Sequence, residues 1–151
     1  MSDKRELILA RLFIVLGTIP GVDACVRNRG DLPVNKRPAI TLLDGDESAK
    51  ESTFDRGRMG ASPNIVVMSP EIYVVLADNK QSPQLIGPAL NAFRAAIIKA
   101  VLTDAELQNL VGGNGEIRYE AAVTDLARGR TIDGEIGIHI SFKYVINPNE
   151  L

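Results

Sequence analysis

Thiol and imidazole chemistry is nearly missing from this sequence, which holds one cysteine and one histidine in 151 residues. With Cys25 alone, no intrachain disulfide can form and no multi-cysteine metal site can be built. Folding in a reducing cytoplasm is the expectation. With His139 alone, the His/Cys/carboxylate cluster of a zinc site is out of reach, and no neighbouring serine or cysteine is marked as a nucleophile for it to activate. An excess of charge is missing too: 17 Lys and Arg face 19 Asp and Glu, a net charge of −2. Duplex nucleic acid draws on a clustered basic surface, which so even a balance does not supply. The apolar run near the N-terminal end is also too short to span a bilayer. Residues 7–16 are apolar except for Arg11, whose presence at a membrane centre would cost roughly 2.5–3.5 kcal/mol. Lys4 and Arg5 before that run and Val22-Asp23-Ala24 after it imitate an export signal. Asp3 and Glu6 cancel the basic charge, however, and Asp23 sits badly beside a cleavage point. The run is therefore expected to be a helix of the fold.

The sequence does hold enough apolar residues, 45%, for one domain spanning residues 1–151. A chain of this size buries about 70% of its unfolded surface. Ser2 is the expected cap of a first helix over residues 3–18, with Asp3 and Glu6 favourably placed in its first turn. Its apolar stripe is wider than a surface helix needs, so the sheet, a second helix or a neighbouring subunit must cover it. Short strands are expected at 22–27 and 39–43, joined as a hairpin with an open loop. Further strand pieces at 64–68 and 71–76 flank Ser69-Pro70, which marks an edge, bulge or corner. After a polar connection over 77–88, Leu90, Phe93, Ile97 and Val101 give a helix over 89–102 one apolar face. Thr103-Asp104-Ala105-Glu106 reads as a capping box opening a short helix that buries Leu107, Leu110 and Val111.

The clearest periodicity lies at the C-terminal end. Ile117, Tyr119, Ala121 and Val123 alternate with polar residues, and Ile136, Ile138, Ile140, Phe142, Tyr144 and Ile146 occupy every second position of a long strand. With Asp133-Gly134 as a turn pair, these strands form a hairpin whose tip lies between 125 and 134. The expected class is α+β: a mixed, mainly antiparallel β-sheet with helices packed on one face and a long C-terminal β-hairpin.

No constellation for catalysis emerges. Cys25 has no neighbour in sequence that would lower its pKa, and it reads as a small half-buried residue. His139 belongs to the polar face of the last strand. Gly112-Gly113-Asn114-Gly115 resembles a phosphate loop, but it follows a helix and precedes a strand, and no Gly-Lys-Ser/Thr comes after it. It suits a helix end and turn. Asp44-Gly45-Asp46-Glu47 lacks the alternate carboxylates and closing glutamate of an EF-hand. No enzyme, cofactor or metal is expected.

Residues 44–62, polar and rich in charge and glycine, are expected as a long loop, which in a compact domain is usually functional or disordered. Arg56 and Arg58 with the acids Glu47, Glu51 and Asp55 are its candidate contacts to a neighbouring subunit.

Read as strings, Met68-Ser69-Pro70-Glu71-Ile72-Tyr73-Val74-Val75-Leu76, Leu90-Asn91-Ala92-Phe93-Arg94, Gly115-Glu116-Ile117-Arg118-Tyr119-Glu120 and Phe142-Lys143-Tyr144-Val145-Ile146-Asn147-Pro148 resemble small virion proteins of long-tailed phages and phage-like particles. The type most like them is the tail terminator, also called the tail-completion or minor tail protein, and the match in order and length covers nearly the whole chain. The resemblance implies a structural subunit forming a ring, usually of six, that caps the finished tail tube, ends its polymerisation and presents a surface to a head-completion or connector protein. It further implies a place in the virion neck after assembly in the host bacterial cytoplasm, with DNA passing through the ring without sequence-specific binding and no membrane involved. Two other readings stay open. One is a different neck or head-tail connector component; the other is a small α+β ligand-binding or regulatory module with a concave apolar pocket.

Overall fold

A computed structural model of the chain describes residues 3–30, 36–50, 63–76, 83–127 and 133–151. Its first helix, α1 (Lys4–Gly17), is capped by Asp3, whose side chain accepts from the Arg5 N–H; Ser2, the expected cap, lies outside the described residues. Ile8, Leu9, Leu12, Val15 and Leu16 form its buried stripe. Leu7 and Ile14 fall off that stripe and are 41% and 56% exposed. The helix stops at Thr18, whose hydroxyl donates back to the Val15 carbonyl at 2.6 Å.

Two strands follow, β1 (Ala24–Arg27) and β2 (Ala39–Ala49), and they pair in parallel. The expected hairpin is thus corrected. In the parallel register Arg27 lies beside Leu42 and within reach of Asp44. A hairpin would have set it beside Ala39. Arg27 makes two-pronged contacts with Asp44 at 2.7 and 3.0 Å and with Glu6 of α1 at 2.9 Å. The parallel direction is the one that lets one guanidinium join helix and sheet.

Strand β2 also runs into the segment expected as loop, as far as Ala49. It does so past a bulge between Leu43 and Asp46. Gly45 makes that bulge possible: its φ is +70°, and a Cβ there would come within 2.1 Å of the Ser69 carbonyl oxygen. Opposite lies Pro70, inside the unbroken strand β3 (Asn64–Leu76) where two pieces were expected. Pro70 has no paired residue on β2 or on the other neighbour of β3. The ladder opens around the residue that cannot donate to it.

Helix α2 (Pro83–Leu102) begins well before the expected Ala89, with Pro88 inside it. Proline at a first helical position loses no hydrogen bond, so Pro83 starts this helix where it was expected to lie in a connection. By length and composition Gln84–Leu102 would pass for a membrane span. Here Ile86, Leu90, Ile97 and Val101 are buried in the core. Helix α3 (Ala105–Val111) is capped by Asp104, which accepts from the Leu107 N–H. Thr103, expected as the cap, instead donates its hydroxyl to the Lys99 carbonyl.

The chain ends in the expected hairpin of β4 (Glu116–Ala127) and β5 (Asp133–Ile146), followed by a short 3-10 turn. The sheet order is β1-β2-β3-β5-β4, antiparallel except for β1 with β2. Val66, Met68, Ile72 and Val74 of β3 and Ile136, Ile138, Ile140, Phe142 and Tyr144 of β5 point into one core with α1, α2 and α3. Each such side chain contributes about 1.5–3 kcal/mol on burial. One expectation on β4 fails. A register shift between Tyr119 and Ala121 turns the strand over, so Ile117, Tyr119 and Ala122 pack against the core while Ala121 and Val123 face outward. Val123 is 60% exposed.

Candidate functional site

All described helices pack on one face of the sheet, which leaves the other face uncovered among the described residues. Its residues follow from the register. One rung runs Val123, Gly137, Tyr73, Thr41 across β4, β5, β3 and β2. Toward one end lies Asp125, Glu135, Val75; toward the other come His139 with Glu71, then Arg118 with Ser141, then Glu116, Lys143, Val67. The rung of Val123, Gly137, Tyr73 and Thr41 is uncharged, and charged residues lie on both sides of it, Glu71 among them.

Gly137 shapes that rung. A Cβ on it would lie 2.9 Å from the Tyr73 ring, so the absence of a side chain lets the ring approach the strand backbone closely. From there the Tyr73 hydroxyl donates to Glu71 Oε2 at 3.0 Å. Burial first, and then the carboxylates of Glu71 and Glu135, push the tyrosine pKa upward, so the hydroxyl stays a donor.

Two depressions flank the His139 position. One, of 190 Å³, is lined by Thr41, Leu43, Tyr73, Val75 and Glu135. The other, of 220 Å³, is lined by Lys50, Val67, Arg118, Glu120, Ser141 and Lys143. Both fall below the roughly 300–1,000 Å³ of small-molecule pockets. Among the described residues no group of three His, Cys, Asp or Glu is placed to hold a metal ion. Cys25 is half-buried on β1, where burial pushes its thiol pKa up and away from nucleophilic behaviour.

Of the expected interface residues, Glu51, Asp55, Arg56 and Arg58 lie outside the described residues. Glu47 lies on β2 past the bulge, level with Met68 and turned to the helix side. Its carboxylate accepts from the Tyr144 hydroxyl and lies 3.9 Å from Arg5 Nε, so its charge is engaged within the chain. Burial and then this carboxylate raise the Tyr144 pKa. Arg5 also donates to the Gly45 carbonyl at 2.9 Å, fixing the bulge to α1.

Sequence reasoning missed Thr41, Tyr73 and Glu135. Gly137, a glycine amid an Ile-x-Ile alternation, was the available signal of a close approach. Comparison with known protein families finds no matching family model, and no curated protein matches this sequence.

Proposed function

We propose that this chain is a structural subunit of a phage tail or phage-like particle. Six copies form a ring that caps the tail tube, ends its polymerisation and meets the head-side connector while DNA passes through. What supports the reading, beside the resemblance, is that the two flanks of the sheet are unlike. On one side β4 offers a long edge that is unpaired among the described residues, a row of backbone groups open to another chain. On the other, the edge strand β1 is only four residues long and lies beside α1, whose Leu7 and Ile14 are exposed. Closed rings are built from such heterologous contacts, in which one surface meets a different surface of the next copy. Glu51, Asp55, Arg56 and Arg58 contribute charge pairs across that boundary, setting register more than affinity.

A ligand-binding module is the weaker reading, because the two depressions described on the sheet face are smaller than the usual small-molecule site. The test has two parts. Native mass measurement should find a closed ring, and particles assembled without the protein should carry tails of uncontrolled length detached from filled heads. A monomer in solution with normal tails in its absence would overturn the proposal.

A further inference from the structure

We propose that the depression lined by Thr41 and Glu135 binds a short linear amine that carries a second hydrogen-bonding group at its far end, a diamine or an amino alcohol. The site begins with a hydroxyl that has nothing to bond. Ile40 and Leu42 of β2 point into the core, so Thr41 between them points to the open face, where it lines the depression. It is only 6% exposed, and its hydroxyl has no hydrogen-bond partner among the described residues. A buried polar group without a partner is costly, and a ligand that bonds it removes that cost.

The second pole is a carboxylate. Glu135 lines the same depression and has no ion pair among the described residues. It stands directly opposite Asp125 on β4, a like-charge pair that repels and that a cation would relieve. Glu71, the other acid beside Tyr73, is already engaged, since it accepts from the Tyr73 hydroxyl at 3.0 Å. Spacing then selects the ligand. Thr41 and Glu135 lie two strands apart and two residues apart along them, about 12 Å at the backbone. One ammonium cannot serve both, so the ligand needs a polar head at each end. The line between them crosses β3 between Tyr73 and Val75, which line the depression and offer apolar surface to a methylene chain. A volume of 190 Å³ holds about six non-hydrogen atoms at roughly 30 Å³ each, the share of one water molecule in the liquid. That is the size of a butane chain with a polar atom at either end. A metal ion fits less well, because no group of three His, Cys, Asp or Glu stands together among the described residues.

The site uses neither flank of the sheet, so its failure would leave the ring reading standing. NMR titration of the full chain tests it with four probes: diaminobutane and aminobutanol with a head at each end, butylamine without the second head, and butanediol without the charge. Diaminobutane or aminobutanol should shift the amide signals of Thr41, Tyr73 and Glu135. It should bind about tenfold more tightly than butanediol and about threefold more tightly than butylamine. Whichever of the two binds more tightly identifies the second head. Glu135→Gln should abolish the advantage over butanediol, and Thr41→Val the advantage over butylamine. Neither variant should melt below the wild type, since one change relieves the repulsion with Asp125 and the other removes an unpartnered hydroxyl. No shift with any probe, butanediol bound as tightly as the amines, or either preference surviving its variant would overturn the site.

Discussion

The carboxylate of Asp104 accepts from Arg11 Nη2 at 2.7 Å and Nε at 3.0 Å while also accepting from the Leu107 N–H. It thus caps α3 and ties that helix to α1, with Glu106 adding a 3.1 Å contact to Arg11. Arg11, which looks like an interruption of an apolar helix, is the anchor of that joint. The Arg11 hydrogen bond and the Leu107 N–H hold the Asp104 pKa below the ordinary carboxylate value against the opposing effect of burial. A carboxylate whose pKa is depressed by folding stabilises the fold above its unfolded pKa of about 3.9. That contribution is lost as the pH falls through the folded pKa. Asp104→Ala is expected to lower stability at neutral pH by about 1–2 kcal/mol, mostly through the lost cap. Asp104→Asn keeps a capping group without the charge, so its melting temperature should fall less steeply than that of the wild type below pH 4; parallel acid profiles would refute the assignment. Gly45 offers a second test at this scale. Gly45→Ala should cost about 1–3 kcal/mol for its left-handed backbone, with the clash against Ser69 adding to it. Urea unfolding measures both effects.

Among the elements, β5 was the most legible in the sequence. Its period of two persists over the whole strand, and a one-residue slip would expose every buried side chain at once. Phe142 is 0% exposed, so Phe142→Asp buries an unpaired charge and should abolish cooperative melting; a soluble variant that still melts cooperatively would mean the face is assigned wrongly. Strand β4 shows where the same reasoning stops. Ala121 and Val123 continue the alternation of Ile117 and Tyr119, and nothing in their chemistry announces the extra residue that turns the strand over. The start of α2 was hidden for a related reason: Pro83, Gly87 and Pro88 have the composition of a loop, yet early proline is compatible with helix.

For the molecule as a whole, the class of fold was readable from the order and period of its elements, and the direction of β1 was not. Local periodicity tells which residues face the core but carries no information about which neighbour a strand will choose. The open sheet face was legible only in part. The polar alternation of β5 predicted a second, non-core face, while the depressions on it depend on register across four strands, which no single segment encodes.

The three irregularities of the sheet share one level. The bulge of β2 at Leu43 to Asp46, the unpaired Pro70 of β3 and the register shift of β4 at Tyr119 to Ala121 stand side by side across the strands. Together they form a crease that divides the sheet into two panels, one carrying Tyr73 and Glu135, the other Lys143 and Arg118. Backbone amides bordering the crease should exchange with solvent faster than those in the ladders on either side of it, as hydrogen exchange resolved by residue would measure. Uniform protection along β3 would mean the panels are rigidly joined. If they are not, the face can adjust its curvature about this line, so the relative tilt of its two charged ends is set by what lies against it.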